Sequence, residues 1–173
     1  DAGGYFIING SEKTCISQER PSENMIQCFN VDKRNNKWSW IAEIRSVPIF
    51  KSISPKQITL LIGSKNNGFG NNIFIQIPRI NTPIPLFILF RALGILTDKD
   101  ICKYIVYDLK NDVLLNLLRA SILDANKYMS QEECIDYISK YSMYTPINMD
   151  KEEGIQNKKK FTINVINNDL FPH

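Results

Sequence analysis

The chain has 173 residues, 43% of them hydrophobic and 23% charged, with a formal net charge of +3. That is room for one good-sized domain, or one domain with a small appendage. A charge of +3 is too weak to argue for nucleic-acid binding by itself, so any such contact must rest on where the basic residues sit.

Residues 4–8 read as a buried strand. Asn9-Gly10 follows as a hairpin turn, because both residues tolerate positive φ, and residues 14–18 are the expected returning strand. Residues 20–24 (Arg-Pro-Ser-Glu-Asn) break the pattern. Residues 25–29 and 38–44 are further strands, separated by a polar turn. Ile58, Leu60 and Ile62 share one face of a strand, and Ile73, Ile75 and Ile77 share one face of the next, a long antiparallel hairpin with a glycine-rich tip. The period then changes. Residues 84–93 are a short buried helix, with prolines at its start and Gly94 at its end. Thr97 opens a second helix, with Asp98 and Asp100 at its positive end. Leu114, Leu115, Leu117, Leu118 and Ile122 form the stripe of a third. Ser130 with Glu133 has capping-box spacing and starts a fourth. A fifth is expected from about residue 153 to 170, through a β-branched stretch. Strands first and helices after predict an α+β fold, with an antiparallel sheet and long hairpin in the N-terminal half and helices in the C-terminal half.

Several chemistries are disfavoured. Cys15, Cys28, Cys102 and Cys134 include no CxxC pair, which argues against a zinc site; they read as free thiols of a reducing compartment. The only histidine is His173, the last residue, so a Ser-His or Cys-His pair inside a core is excluded. Gly63 and Gly68 have the glycine spacing of a phosphate loop, but Phe69 and Gly70 stand where Lys-Ser/Thr must follow. There is no secretory leader pattern, and the longest apolar run, residues 84–90, is far short of the roughly 20 residues that span a bilayer. With no initiator Met and abrupt ends, both termini read as cuts through a longer polypeptide.

Residues 3–13, Gly-Gly-Tyr-Phe-Ile-Ile-Asn-Gly-Ser-Glu-Lys, are very similar to a stretch of the second-largest subunits of multisubunit DNA-directed RNA polymerases. Eukaryotic, archaeal and viral members carry this string or close variants, and bacterial members carry Arg where Lys13 stands. Gln18-Glu19-Arg20, Ala42-Glu43-Ile44-Arg45-Ser46, Ile84-Pro85-Leu86, Phe90-Arg91-Ala92-Leu93-Gly94-Ile95 and the closing Leu170-Phe171-Pro172-His173 resemble further motifs of the family, in the same order. The resemblance is to the RNA polymerase II-like branch. Pro21-Ser22-Glu23-Asn24 and Thr14-Cys15-Ile16-Ser17 depart from it. The wealth of Ile, Asn and Lys suggests an AT-rich source, a large cytoplasmic DNA virus or a protist.

The resemblance implies that residues 1–24 are the end of the protrusion and residues 25–173 the lobe. It implies one wall of a DNA cleft, in contact with template and DNA–RNA hybrid. Partners would be the largest subunit, small subunits and initiation or elongation factors, with no membrane. The catalytic magnesium would be held mainly by the largest subunit, with no cofactor and no catalytic residue in this stretch. The location would be intracellular: the nucleus for a cellular source, or the host cytoplasm and virion for a viral one. Lys13 and Arg20 are the nucleic-acid-facing candidates, through phosphate contacts that read no sequence. Against this, Lys13 reads equally as a solvated lysine and Arg20 as half of an ion pair pinning a strand end. Gln18 and Glu19 are structural or cleft-edge residues. Arg45 and Arg91, beside apolar residues, are expected in fold-internal hydrogen bonds or ion pairs. Lys33, Arg34 and Lys37 precede Trp38 and Trp40, which are expected to pack one face of a strand. Lys158-Lys159-Lys160 reads as a solvated helix face. A free-standing nucleic-acid-binding module and a pure interaction scaffold are the alternatives.

Overall fold

A computed structural model of the chain describes residues 4–31, 36–50 and 52–170. Gly3 of the first motif, Lys33 and Arg34 of the basic turn, and the closing Phe171, Pro172 and His173 lie outside the described residues. The fold is α+β. A two-stranded hairpin, β1 (Tyr5–Ile8) with β2 (Ser11–Thr14), precedes a five-stranded antiparallel sheet. The sheet is ordered β3 (Ile26–Asn30), β4 (Trp38–Ser46), β5 (Lys56–Asn66), β6 (Asn71–Gln76) and β7 (Ile84–Pro85). Five helices follow among the described residues: α1 (Leu86–Ala92), α2 (Asp98–Val106), α3 (Asp112–Asp124), α4 (Gln131–Lys140) and α5 (Lys151–Asn168).

Asn9 (φ 53°) and Gly10 (φ 77°) make the turn expected of them. The turn closes at once, so Ser11 pairs with Ile8 and the return strand is Ser11–Thr14, earlier than the predicted 14–18. The expected burial of β1 is corrected as well. Tyr5, Phe6, Ile7 and Ile8 are 54–70% exposed, because the hairpin pairs only with itself among the described residues.

Strand alternation sets the main sheet. Ile44, Ile58 and the Leu60–Ile75 pair stand in register on one face, together with Ile84 of β7. α1 and α3 pack on this face, against β6. Ile58, Ile75, Ile77, Ile84, Phe87 and Leu118 form its buried core with Ile101, Ile138 and Val165 of the outer helices. Ile84 and Pro85 extend the sheet before the chain turns helical, so α1 starts at Leu86 rather than residue 84. Leu114 and Leu117 of the predicted α3 stripe face outward; Leu118, Ala120 and Ser121 are the buried residues. Trp38 and Trp40 do not share a face. Trp38 pairs with Gly63 and Trp40 with Ile62, so the register shifts between them. The extra residue, Ser39, inverts the alternation. Trp38 meets Phe74 edge-on (ring centroids 5.4 Å apart), on the face opposite to Trp40.

Two polar devices close the helical layer. The Ser130 hydroxyl accepts from the Glu133 N–H, and the Glu133 carboxylate accepts from the Ser130 N–H, a complete capping box on α4. Ser130→Ala is expected to cost about 1 kcal/mol of stability in urea unfolding, with an unchanged m-value. At the other end, the Asp169 carboxylate meets Lys56 Nζ at 3.0 Å and Arg79 Nε at 3.4 Å, tying the end of α5 to the start of β5. Lys159 is not on a free solvated face: its ammonium lies 2.7 Å from the Asp136 carboxylate and joins α5 to α4. Cys15 and Cys28 are exposed, while Cys102 and Cys134 are buried; burial pushes the Cys134 thiol up to about 11.

Candidate nucleic-acid interface

Asn24 organises the polar side of the sheet. It stands at φ 58°, a conformation asparagine tolerates. Its N–H donates to the Arg45 carbonyl (2.8 Å), its amide donates to the Val47 carbonyl (3.0 Å), and its side-chain oxygen accepts from the Val47 N–H (2.8 Å). These bonds clip the extended segment before β3 onto the end of β4. Arg20 is thereby held beside Arg45 at a shallow concavity of about 100 Å³, lined also by Ser22, Gln27, Glu43 and Gln57. Asn24 was visible in the sequence only as part of a breaker cluster; its role as a clip depends on a partner 23 residues away.

The expectation for Arg45 is corrected. Ile44 takes the inward face of β4, so alternation turns Arg45 outward. It is exposed and makes no ion pair among the described residues. Glu43, on the same outward face, accepts from the Gln57 amide at 2.9 Å. Arg20 meets Glu23 at 3.0 Å, but its side chain stays 71% exposed, so a second anionic partner can still reach it. Gln18 and Glu19 lie exposed on the segment between hairpin and sheet. Lys13 sits exposed on β2, opposite Phe6, while Glu12 points to the other face of the hairpin.

Arg91 belongs to the core and not to this surface. Its side chain is fully buried; Nη1 donates to the carbonyls of Ala125 (2.6 Å) and Tyr128 (2.8 Å), and Nη2 donates to the Asp98 carboxylate. Asp98 and Asp100 both sit in the first turn of α2. At the tip between β5 and β6, the Asn66 side chain accepts from the N–H groups of Gly68 and Gly70, and Asn67 accepts from that of Phe69. Donors already used in this way leave no cradle for a phosphate. Among the described residues no group of three His, Cys, Asp or Glu side chains fits a metal ion, and no helix is long and apolar enough to cross a membrane.

Comparison with known proteins adds to this geometry. The family described as RNA polymerase Rpb2, domain 2 matches residues 22–173. DNA-directed RNA polymerase II subunit 2 of Arabidopsis thaliana is 34% identical, and subunit RPB2 of Schizosaccharomyces pombe is 35% identical, each across the whole of this chain. DNA-directed RNA polymerase subunit 2 of Acanthamoeba polyphaga mimivirus is 27% identical, also across the whole chain. The chain spans 14% of the length of these relatives.

Proposed function

The chain belongs to the RNA polymerase Rpb2, domain 2 family, and from that premise we propose that it is a non-catalytic module of a DNA-directed RNA polymerase. In the assembled enzyme it forms one wall of the DNA cleft and docks other subunits and factors. Nucleotidyl transfer belongs to the whole enzyme. In this reading the catalytic magnesium of the whole enzyme is held mainly by the largest subunit. Residues 1–24 are the end of the protrusion and residues 25–173 the lobe. The enzyme works in the nucleus of a cellular source, or in the cytoplasm and virion of a viral one.

The observation that carries the cleft-wall role is the pairing of the two arginines. Arg20 and Arg45 share one outward-facing concavity, while α1 and α3 cover the opposite face of the same sheet. Exposed guanidinium groups hold phosphates without reading bases, which suits an enzyme that must pass any sequence. Lys13 adds a third cation on the hairpin.

Two measurements test this. An antibody to the chain is expected to mark a polypeptide far larger than 19.9 kDa that co-fractionates with RNA synthesis. A band near that mass, away from the activity, would favour a free-standing module. In the assembled enzyme, Lys13→Ala and Arg45→Ala are each expected to flatten the slope of log K for DNA against log salt by about one unit. Unchanged slopes would leave a pure interaction scaffold.

A further inference from the structure

The two arginines of the outward concavity stand in different electrostatic states. Arg45 makes no ion pair among the described residues. The carboxylate that lines the concavity beside it, Glu43, is engaged by the Gln57 amide at 2.9 Å, and Gln57 is the residue opposite Arg45 across the ladder of β4 and β5. Arg20 instead has its Nη2 3.0 Å from the Glu23 carboxylate, and the glutamate side chain is 31% exposed against 71% for the arginine. Glu23 immediately precedes Asn24, whose three hydrogen bonds to Arg45 and Val47 fix that point of the chain to the end of β4. The backbone that carries Glu23 is therefore anchored, and its carboxylate is held within reach of Arg20.

A guanidinium binds a carboxylate and a phosphate through the same N–H donors. A carboxylate tethered three residues away in the chain acts at a high effective concentration. A phosphate that reaches Arg20 must therefore displace Glu23 or sit beside its negative charge, and either outcome weakens the contact. We infer that Glu23 is an internal competitor of the nucleic-acid phosphate at Arg20, which keeps one of the two arginine contacts weak and readily released. Arg45 supplies the standing contact; Arg20 with Glu23 supplies one that is made and broken. A wall that gripped every phosphate firmly would oppose the passage of DNA. An exposed ion pair is a weak interaction, so the competition trims the affinity and does not block the site. A purely structural role fits the geometry less well. The pair spans three residues of one segment and joins no second element, and Asn24 already ties that segment to β4. This inference rests on the cleft-wall role proposed above and adds how that site is regulated.

The test uses the assembled enzyme and a labelled duplex DNA of random sequence, with affinity read by fluorescence anisotropy over a range of salt. Glu23→Gln and Glu23→Ala are each expected to bind about threefold more tightly than the native enzyme at low salt, and the gain is expected to fade as salt screens the pair. Two substitutions of different shape share this expectation, so a folding defect in one of them does not decide the result. Arg20→Ala is expected to weaken binding, and in the Arg20→Ala background Glu23→Gln is expected to lose most of its gain. If Arg20→Ala weakens binding while neither Glu23 variant tightens it, the inference falls and the cleft-wall role stands. The same gain with and without Arg20 also overturns the inference, since the acid then acts only through net charge. Native affinity in Arg20→Ala overturns both the inference and the part given to Arg20 in the cleft wall.

Discussion

Replacing Arg91 with alanine is expected to destabilise the fold by roughly 3–5 kcal/mol, a large part of the 5–15 kcal/mol that holds a typical domain together. The guanidinium is buried within α1 and joins three elements at once. Its Nη1 donates to the carbonyl of Ala125 at the end of α3 and to the Tyr128 carbonyl beyond it. It also pairs with Asp98 in the first turn of α2. Alanine removes these bonds together and leaves a buried and a part-buried carbonyl without their donor. Arg91→Lys is expected to recover only part of the loss, because one ammonium cannot reproduce the planar fork. Asp98→Asn is expected to cost less than Arg91→Ala, since the Asp98 side chain is partly exposed and can turn to water. Urea unfolding of the three variants gives the order. Equal losses for Arg91→Ala and Asp98→Asn would mean that the ion pair carries the stability and the carbonyl contacts do not.

Phe87→Ala is expected to cost about 3–5 kcal/mol by a different route. Phe87 is fully buried in the cluster that joins α1 to the sheet and the outer helices. Truncation loses the transfer free energy of the ring and leaves a cavity that the surrounding strand and helix side chains fill only in part. Phe87→Leu keeps most of the volume and is expected to cost markedly less. Thermal unfolding separates them, and a small effect for alanine would show that α1 can shift inward to close the space. The Arg91 and Phe87 losses belong to one short helix, so the double variant is not expected to add.

Much of the architecture was readable in advance because its determinants are local. Asn9-Gly10 specifies a tight turn through the φ angles those two residues tolerate, and the turn forms. Ser130 and Glu133 reach each other across one helical turn, so their spacing alone announces the cap. The alternation in β5 and β6 and the change of period after Pro83 separate sheet from helices. Strand ends were less legible. Thr14–Gln18 looked like a strand by composition, but the two-residue turn places the pairing at Ser11–Thr14 instead.

The candidate interface was harder to foresee. Arg45 sits in an apolar motif that suggests burial, yet strand parity turns it outward, beside an Arg20 that reaches it only through the Asn24 clip. Likewise, Trp38 and Trp40 alternate as if on one face until the bulge at Ser39 sends them to opposite sides.

By itself, then, the sequence determined the α+β order of elements, the hairpin turn, the starts of α2 and α4 and the family. All of these follow from dihedral preference, periodicity and motif strings within a short window. Only the tertiary structure decided which strand faces are covered and which partners Arg91 finds. Its carbonyl partners lie 34 and 37 residues away. Contacts at that range are set by cross-strand register and helix packing, in which one inserted residue reverses a face, and no local pattern of residues carries that information.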